Sequence, residues 1–226
     1  MPTDERDFHA DKLPHLKNAQ KDILYLLERG YPIKNASTFV GNHFMLSERQ
    51  RLAIVRATST TDILSLRSRK QLSEKTIGKK VVIDGLNLII TLEVALSDGI
   101  LIRCMDQTIR DLAGLRGTYR LIEQTDTAIR MIGEQLKLLG INEAVFYLDS
   151  PVSNTGRLRM RILELLSGHP FRVEVELISH VDSLLEQSEN VITSDAIILN
   201  KCGSWYNLGA QLINQRLLLK GIIDLS

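Results

Sequence analysis

Between residues 80 and 200 the apolar positions gather into short strand-like runs, VVID, AVFYLD, VEVELIS and NVITSD, separated by amphipathic stretches. Continuous Val/Ile/Leu segments of this length read as strands buried on both faces of a parallel sheet. The stretch TDTAIRMIGEQLKLLG puts Ile129, Ile132, Leu136 and Leu139 on one helical face, with Thr125 expected as N-cap and Gly140 as C-cap. RLRMRILELL repeats the helical pattern with Leu158, Ile162 and Leu165 inward, and VDSLLEQS makes a shorter helix. The tail SWYNLGAQLINQRLL reads as helix, and the insert of residues 92–140 as helical in its second half. Strands alternating with helices predict an α/β fold, a Rossmann-like parallel sheet with right-handed crossovers.

The first seventy-odd residues carry a different pattern. Leu16, Ala19, Ile23, Leu24 and Leu27 recur at helical spacing, and Gly30 with Pro32 ends that run. A second short helix fits Asn35 to Phe44. Ser47 and Gln50 form an S-x-x-Q capping box ahead of RQRLAIVRA, a third helix that Ser59 to Thr61 breaks. SLRSRKQLSEKTIGKK, with six Lys/Arg in sixteen residues, reads as a solvated connector or an exposed arm. The expected organisation is a helical, basic N-terminal domain over residues 1–75 and an α/β domain over 76–226.

Charge sharpens that division. The formal net charge is only +1, yet residues 1–80 hold 15 Lys+Arg against 9 Asp+Glu, and the remainder holds 13 against 18. Such an asymmetry arises from surface composition alone, or from a basic module that holds a polyanion against an acidic one. Two cysteines, Cys104 and Cys202, are too few for a disulfide framework or a zinc site, which points to a reducing, cytoplasmic setting. No run of 18 apolar residues predicts a membrane span, and the charged N-terminus does not read as a signal peptide. The five histidines lack zinc-protease spacing, and neither a nucleophile-elbow nor a phosphate-loop motif is present.

The candidate chemistry lies in four aspartates at or just past the strand-like runs: Asp84 in VVIDGLN, Asp149 in AVFYLD, Asp182 in SHVDSLL and Asp195 in VITSD. Sites in open α/β sheets form outside the carboxyl ends of the strands. Four carboxylates at one such edge repel one another unless a cation lies between them, and an all-oxygen donor set suits Mg²⁺ or Mn²⁺. Asn87, Ser153, Asn154, Arg157 and Ser194 are the accompanying candidates for substrate contact. Each feature also has a purely structural explanation: Asp-Gly turns are common, Asp182 sits where a helix dipole favours an acid, and Thr193-Ser194-Asp195 suits a helix cap. In the insert, Asp98, Asp106, Arg110, Asp111, Arg116, Tyr119 and Arg120 suggest a lid or substrate surface, or a packed helix end.

The series Asp84-x-x-Asn87, Asp149, Asp182 and Thr193-Ser194-Asp195 resembles the PIN-like nuclease superfamily near its NYN branch, over about residues 80–200. The resemblance implies a Rossmann-like domain in which these acids bind Mg²⁺ or Mn²⁺ and cleave RNA. It makes Asp84, Asp149, Asp182 and Asp195 catalytic and metal-binding, RNA the expected partner, and a homodimer an expected assembly. The fifty-residue insert and the helical leader depart from the compact members. They leave open a non-catalytic RNA or ribonucleoprotein adaptor, and a small phosphoester hydrolase as a third reading.

Overall fold

The computed structural model describes residues 6–114, 117–216 and 221–226. Four helices lead: α1 (Leu13–Leu27), α2 (Ile33–His43), α3 (Glu48–Ala57) and α4 (Thr61–Lys70). Strand β1 (Lys80–Asp84) runs directly into α5 (Gly85–Leu96), followed by β2 (Leu101–Arg103) and β3 (Ile109–Asp111). Then come α6 (Glu123–Leu138), β4 (Glu143–Asp149), α7 (Thr155–Leu166) and β5 (Arg172–Ile178). The chain continues with α8 (Val181–Leu185), β6 (Val191–Ile192), α9 (Ala196–Lys201), β7 (Trp205–Tyr206), α10 (Leu208–Arg216) and β8 (Ile222–Asp224). These elements form two compact units: Met1–Arg69 with Ile100–Leu112 and Lys220–Ser226, and Lys70–Gly99 with Ala113–Leu219. A single cut at residue 75 therefore does not describe the division, because the first unit takes back part of the insert and the final strand.

The sheet unit is α/β. Its five strands stand in the order β5-β4-β1-β6-β7, and all neighbouring pairs are parallel. Residues of β1, β4 and β6 alternate between two covered faces, which is why those runs are mostly apolar, whereas the edge strand β5 fully buries only Val175 and carries Glu174 and Glu176. Val82, Val145, Val191 and Trp205 pack with Val181, Leu185, Ile198 and Leu199 of α8 and α9. Helices α5, α6, α7 and α10 pack among themselves in a second layer, which contacts the sheet through α5 and α7. The edge beyond β7 is covered by Gln71 and Leu72, whose bridge to Trp205 satisfies backbone groups an open edge would expose. Helix α6 ends as expected near Gly140: at φ +65, its N–H bonds Lys137 O and that of Ile141 bonds Leu136 O, the paired bonds of a Schellman turn. Thr125 is not the N-cap of α6. It lies one turn inside, and its hydroxyl accepts the Ile122 N–H while donating to Glu93.

In the helical unit Leu16, Ala19, Ile23, Val40, Ala53 and Ile54 bury against Ile102, Cys104, Leu112 and Leu225. β2 pairs antiparallel with β3 and parallel with β8. The capping box forms as expected: Ser47 Oγ accepts the Gln50 N–H at 3.2 Å and Gln50 Oε1 accepts the Ser47 N–H at 3.0 Å. The basic stretch is helical in its first part, α4, and mostly exposed, but Arg67 within it is only 2% exposed. Arg67 and Arg110 both donate to Asp106 Oδ2, at 2.5 and 2.6 Å, and Thr108 donates twice to Oδ1. Asp106, Arg110 and Asp111, expected on a lid or substrate surface, are thus built into this unit's interior. Arg116 lies outside the described residues.

Candidate acidic site at the carboxyl edge of the sheet

The strand order sets the carboxyl ends of β5, β4, β1 and β6 side by side. Strands are added outward from β1 in one direction and then, from β6, in the other, so the switch point of the sheet lies between β1 and β6. Asp84 and Asp149 are the last residues of β1 and β4. Asp182 opens α8 after β5, and Asp195 is the N-cap of α9 after β6. All four sequence candidates therefore come to one edge, two of them flanking the switch point.

Asp84 is buried, at 7% exposure, and caps α5. Its Oδ2 accepts the Thr193 hydroxyl at 2.8 Å and its Oδ1 accepts the Asn87 N–H at 3.4 Å. Burial pushes its carboxyl up to about 7; the charges of Asp195 and Asp182 push the same way, against the two hydrogen bonds. Asp149 is raised by burial and then by the charge of Asp182. Asp182 is raised by burial and then by Asp195 and Glu186. Asp84 thus feels the charges of Asp195 and Asp182, Asp182 feels that of Asp195, and Asp149 feels that of Asp182. Among the described residues no Lys, Arg or His ion-pairs with any of them, unlike Asp106 and its two arginines.

The residues between them fix the geometry. Thr193 is 4% exposed; its Oγ1 donates to Asp84 and accepts the Asp195 N–H at 3.0 Å, so one hydroxyl links the two switch-point acids. This hydroxyl is thereby committed to positioning Asp84. Asn87 Oδ1 accepts both the Ser194 N–H at 3.0 Å and the Ser194 hydroxyl at 2.9 Å. A backbone N–H can only donate, so this pair fixes the amide orientation and leaves Asn87 Nδ2 as the donor facing away. Asp195 Oδ1 accepts the N–H groups of Ile197 and Ile198, the capping role its sequence context also suggested. Gly85 does not open the backbone to a ligand. A Cβ there would lie 2.6 Å from Leu148 Cδ2 and 3.1 Å from Tyr147 O, so the glycine lets α5 start hard against β4.

The loop after Asp149 is mainly structural. Ser153 bridges to Thr118, and Asn154, at φ +69, caps α7 with its Nδ2 donating to Tyr119 O at 2.8 Å. The Asn154 side chain is thus engaged within the loop, while Ser153 and, in the first turn of α7, Arg157 are exposed. Tyr119, expected as an aromatic surface, is 3% exposed and donates to Glu93 at 2.5 Å. Burial raises both groups, and each raises or is held by the other through that bond. His180 stands exposed just before α8 and makes no capping bond.

As donors, the four acids offer only oxygen, and the like charges beside Asp84, Asp149 and Asp182 are ones a hard divalent cation would relieve. Among the described residues no group of three or more His, Cys, Asp or Glu side chains is gathered into a ready-made metal cage. The donor chemistry therefore fits Mg²⁺ or Mn²⁺ held through few direct ligands, with water completing the shell, as Mg²⁺ commonly is.

No helix among the described residues is long and apolar enough to cross a membrane. Residues 15–70 match the family described as "Protein of unknown function (DUF434)". An uncharacterised protein of Methanocaldococcus jannaschii is 36% identical over 185 residues, covering 81% of this chain and 88% of that protein. No solved structure matches the chain. Residues 73–211, which carry the five-stranded sheet and all four aspartates, match "Domain of unknown function (DUF5616)", and the chain belongs to that family.

Proposed function

We propose that the protein is a metal-dependent ribonuclease of PIN-like character, hydrolysing RNA phosphodiester bonds at the acidic edge. The observation that carries this reading is the set of four carboxylates from adjacent strand ends, three of them raised by burial and then by neighbouring acids, with no Lys, Arg or His ion-paired to any of the four among the described residues. Asp84, Asp149, Asp182 and Asp195 would hold Mg²⁺ or Mn²⁺. When bound, such an ion acts as a Lewis acid on a phosphoryl oxygen and makes water nucleophilic near neutral pH. Thr193 holds Asp84 against rotation and ties it to the start of α9. Asn87 Nδ2, oriented by Ser194, is positioned to donate to a phosphate oxygen. Arg157, exposed at the start of α7, supplies positive charge for the backbone. The test is Mn²⁺-dependent cleavage of end-labelled single-stranded RNA by the full chain. Asp84→Asn is expected to abolish it with the circular dichroism spectrum unchanged, and undiminished cleavage by that variant would refute the role given to Asp84.

A second reading, an RNA or ribonucleoprotein adaptor without turnover, is favoured by the lack of a preassembled cage among the described residues. Calorimetry separates the two: RNA binding with no heat on Mn²⁺ titration is the adaptor's signature.

A further inference from the structure

Among the 5% of residues that are aromatic, Tyr25 and Phe39 are placed unusually. Tyr25 is 56% exposed on α1 and Phe39 is 69% exposed on the neighbouring α2. Both line one cavity of about 260 Å³, together with Leu26, Val40, Asp22 and His43. Neither ring fills the space. The Arg29 guanidinium lies 3.4 Å from the centre of the Tyr25 ring, which places a cation on one face of that ring. Lys21 precedes Tyr25 by one turn on α1 and Lys34 opens α2, both exposed. The surrounding segment, residues 15–70, holds ten Lys/Arg against four Asp/Glu.

We infer that this slot between α1 and α2 binds a base of single-stranded RNA, stacked on Tyr25 and Phe39 with its flanking phosphates on Lys21, Arg29 and Lys34. Three features favour this occupant over an apolar peptide. The rings are planar platforms flanked by cations, as non-specific single-strand sites are. The cations match a polyanion and disfavour a hydrophobic helix, which needs a wider apolar stripe than these two rings and two aliphatic side chains offer. Asp22 adds an acceptor that suits the N–H edge of a base such as cytosine. The inference rests on the RNA reading of the acidic site for its polymer class, but not on catalysis, since the slot belongs wholly to the helical unit.

The experiment is fluorescence anisotropy of the full chain with a 5′-fluorescein decamer of cytidylate in low salt with chelator. Wild-type protein is expected to bind, with affinity falling steeply as salt rises. Tyr25→Ala and Phe39→Ala are each expected to weaken binding about tenfold, whereas Tyr25→Phe and Phe39→Tyr keep it. Both rings are exposed, so the thermal midpoints of all four variants stay close to wild type. Wild-type affinity in the alanine variants overturns the slot, as does lack of wild-type binding. A change in sedimentation of the alanine variants with unchanged RNA affinity also overturns it, marking the face as a protein interface. Cleavage is read separately, with Mn²⁺ in place of chelator, on the wild-type protein with Asp84→Asn as its control. Loss of binding through the rings in a chain that never cleaves sustains the slot and removes the nuclease; cleavage with ring-independent binding does the reverse.

Discussion

A buried carboxylic acid without a cationic partner ties protonation to folding, and Asp84 is such a group. An aspartate in the unfolded chain titrates near about 3.9, whereas in the fold Asp84 is pushed up to about 7, first by burial. The folded protein then binds this proton more tightly than the unfolded one. Stability is fullest below about pH 4, declines through the window up to about 7 and is level beyond, a loss of at most about 4 kcal/mol. With chelator present, Asp84→Asn should flatten the thermal midpoint across that window relative to wild type, and parallel curves would disprove the coupling. Mn²⁺ at pH 8 should raise the midpoint of wild type and leave that of Asp84→Asn nearly fixed. Asp106 is the opposite case. Burial opposes its charge, but Arg110, Thr108 and Arg67 outweigh burial and hold the carboxyl below its ordinary range. Asp106→Asn strands two buried guanidinium groups and is expected to cost about 3–5 kcal/mol in urea unfolding. The four edge acids were legible because each closes a hydrophobic run. Asp106 was not, because its partner Arg67 lies 39 residues away and nothing local announces the pair.

Elements show the same boundary between local and distant information. The Ser47–Gln50 box and the Gly140 stop were readable because both partners lie within a few residues and the motif is its own cause. Gly140→Ala places a Cβ at φ +65 and is expected to cost about 1–2 kcal/mol, read as a lower thermal midpoint. The parallel strands β1 and β4 were readable because most of their consecutive residues are covered on both faces. β7 was read as the start of a helix. It is two residues long, shorter than any periodicity, and exists because Trp205 and Tyr206 pair with Val191 and Ile192. The same holds for β2 and β3, three residues each, in an insert expected to be lid-like. Thr125 was placed at a helix start correctly in neighbourhood and wrongly in position, since its hydroxyl serves Ile122 and Glu93 at once.

At the scale of the molecule, the sequence separates a basic helical half from an acidic α/β half, but not the way the chain is shared between them. The helical unit's core includes Ile102, Cys104, Leu112 and Leu225, and Gln20 Nε2 donates to Leu225 O at 2.8 Å. A fragment of residues 1–75 therefore lacks part of its own interior. It is expected to show weak helical circular dichroism and no cooperative melt, and a sharp transition in that fragment would show that the late segments are dispensable. The return of the chain through Leu225 also bears on biosynthesis. Helices α1 to α4 leave the ribosome before the whole sheet unit, yet the strand that closes their interior follows that unit. The half that begins later can finish earlier, and the nascent helices wait for β8 with their apolar stripe open to chaperones.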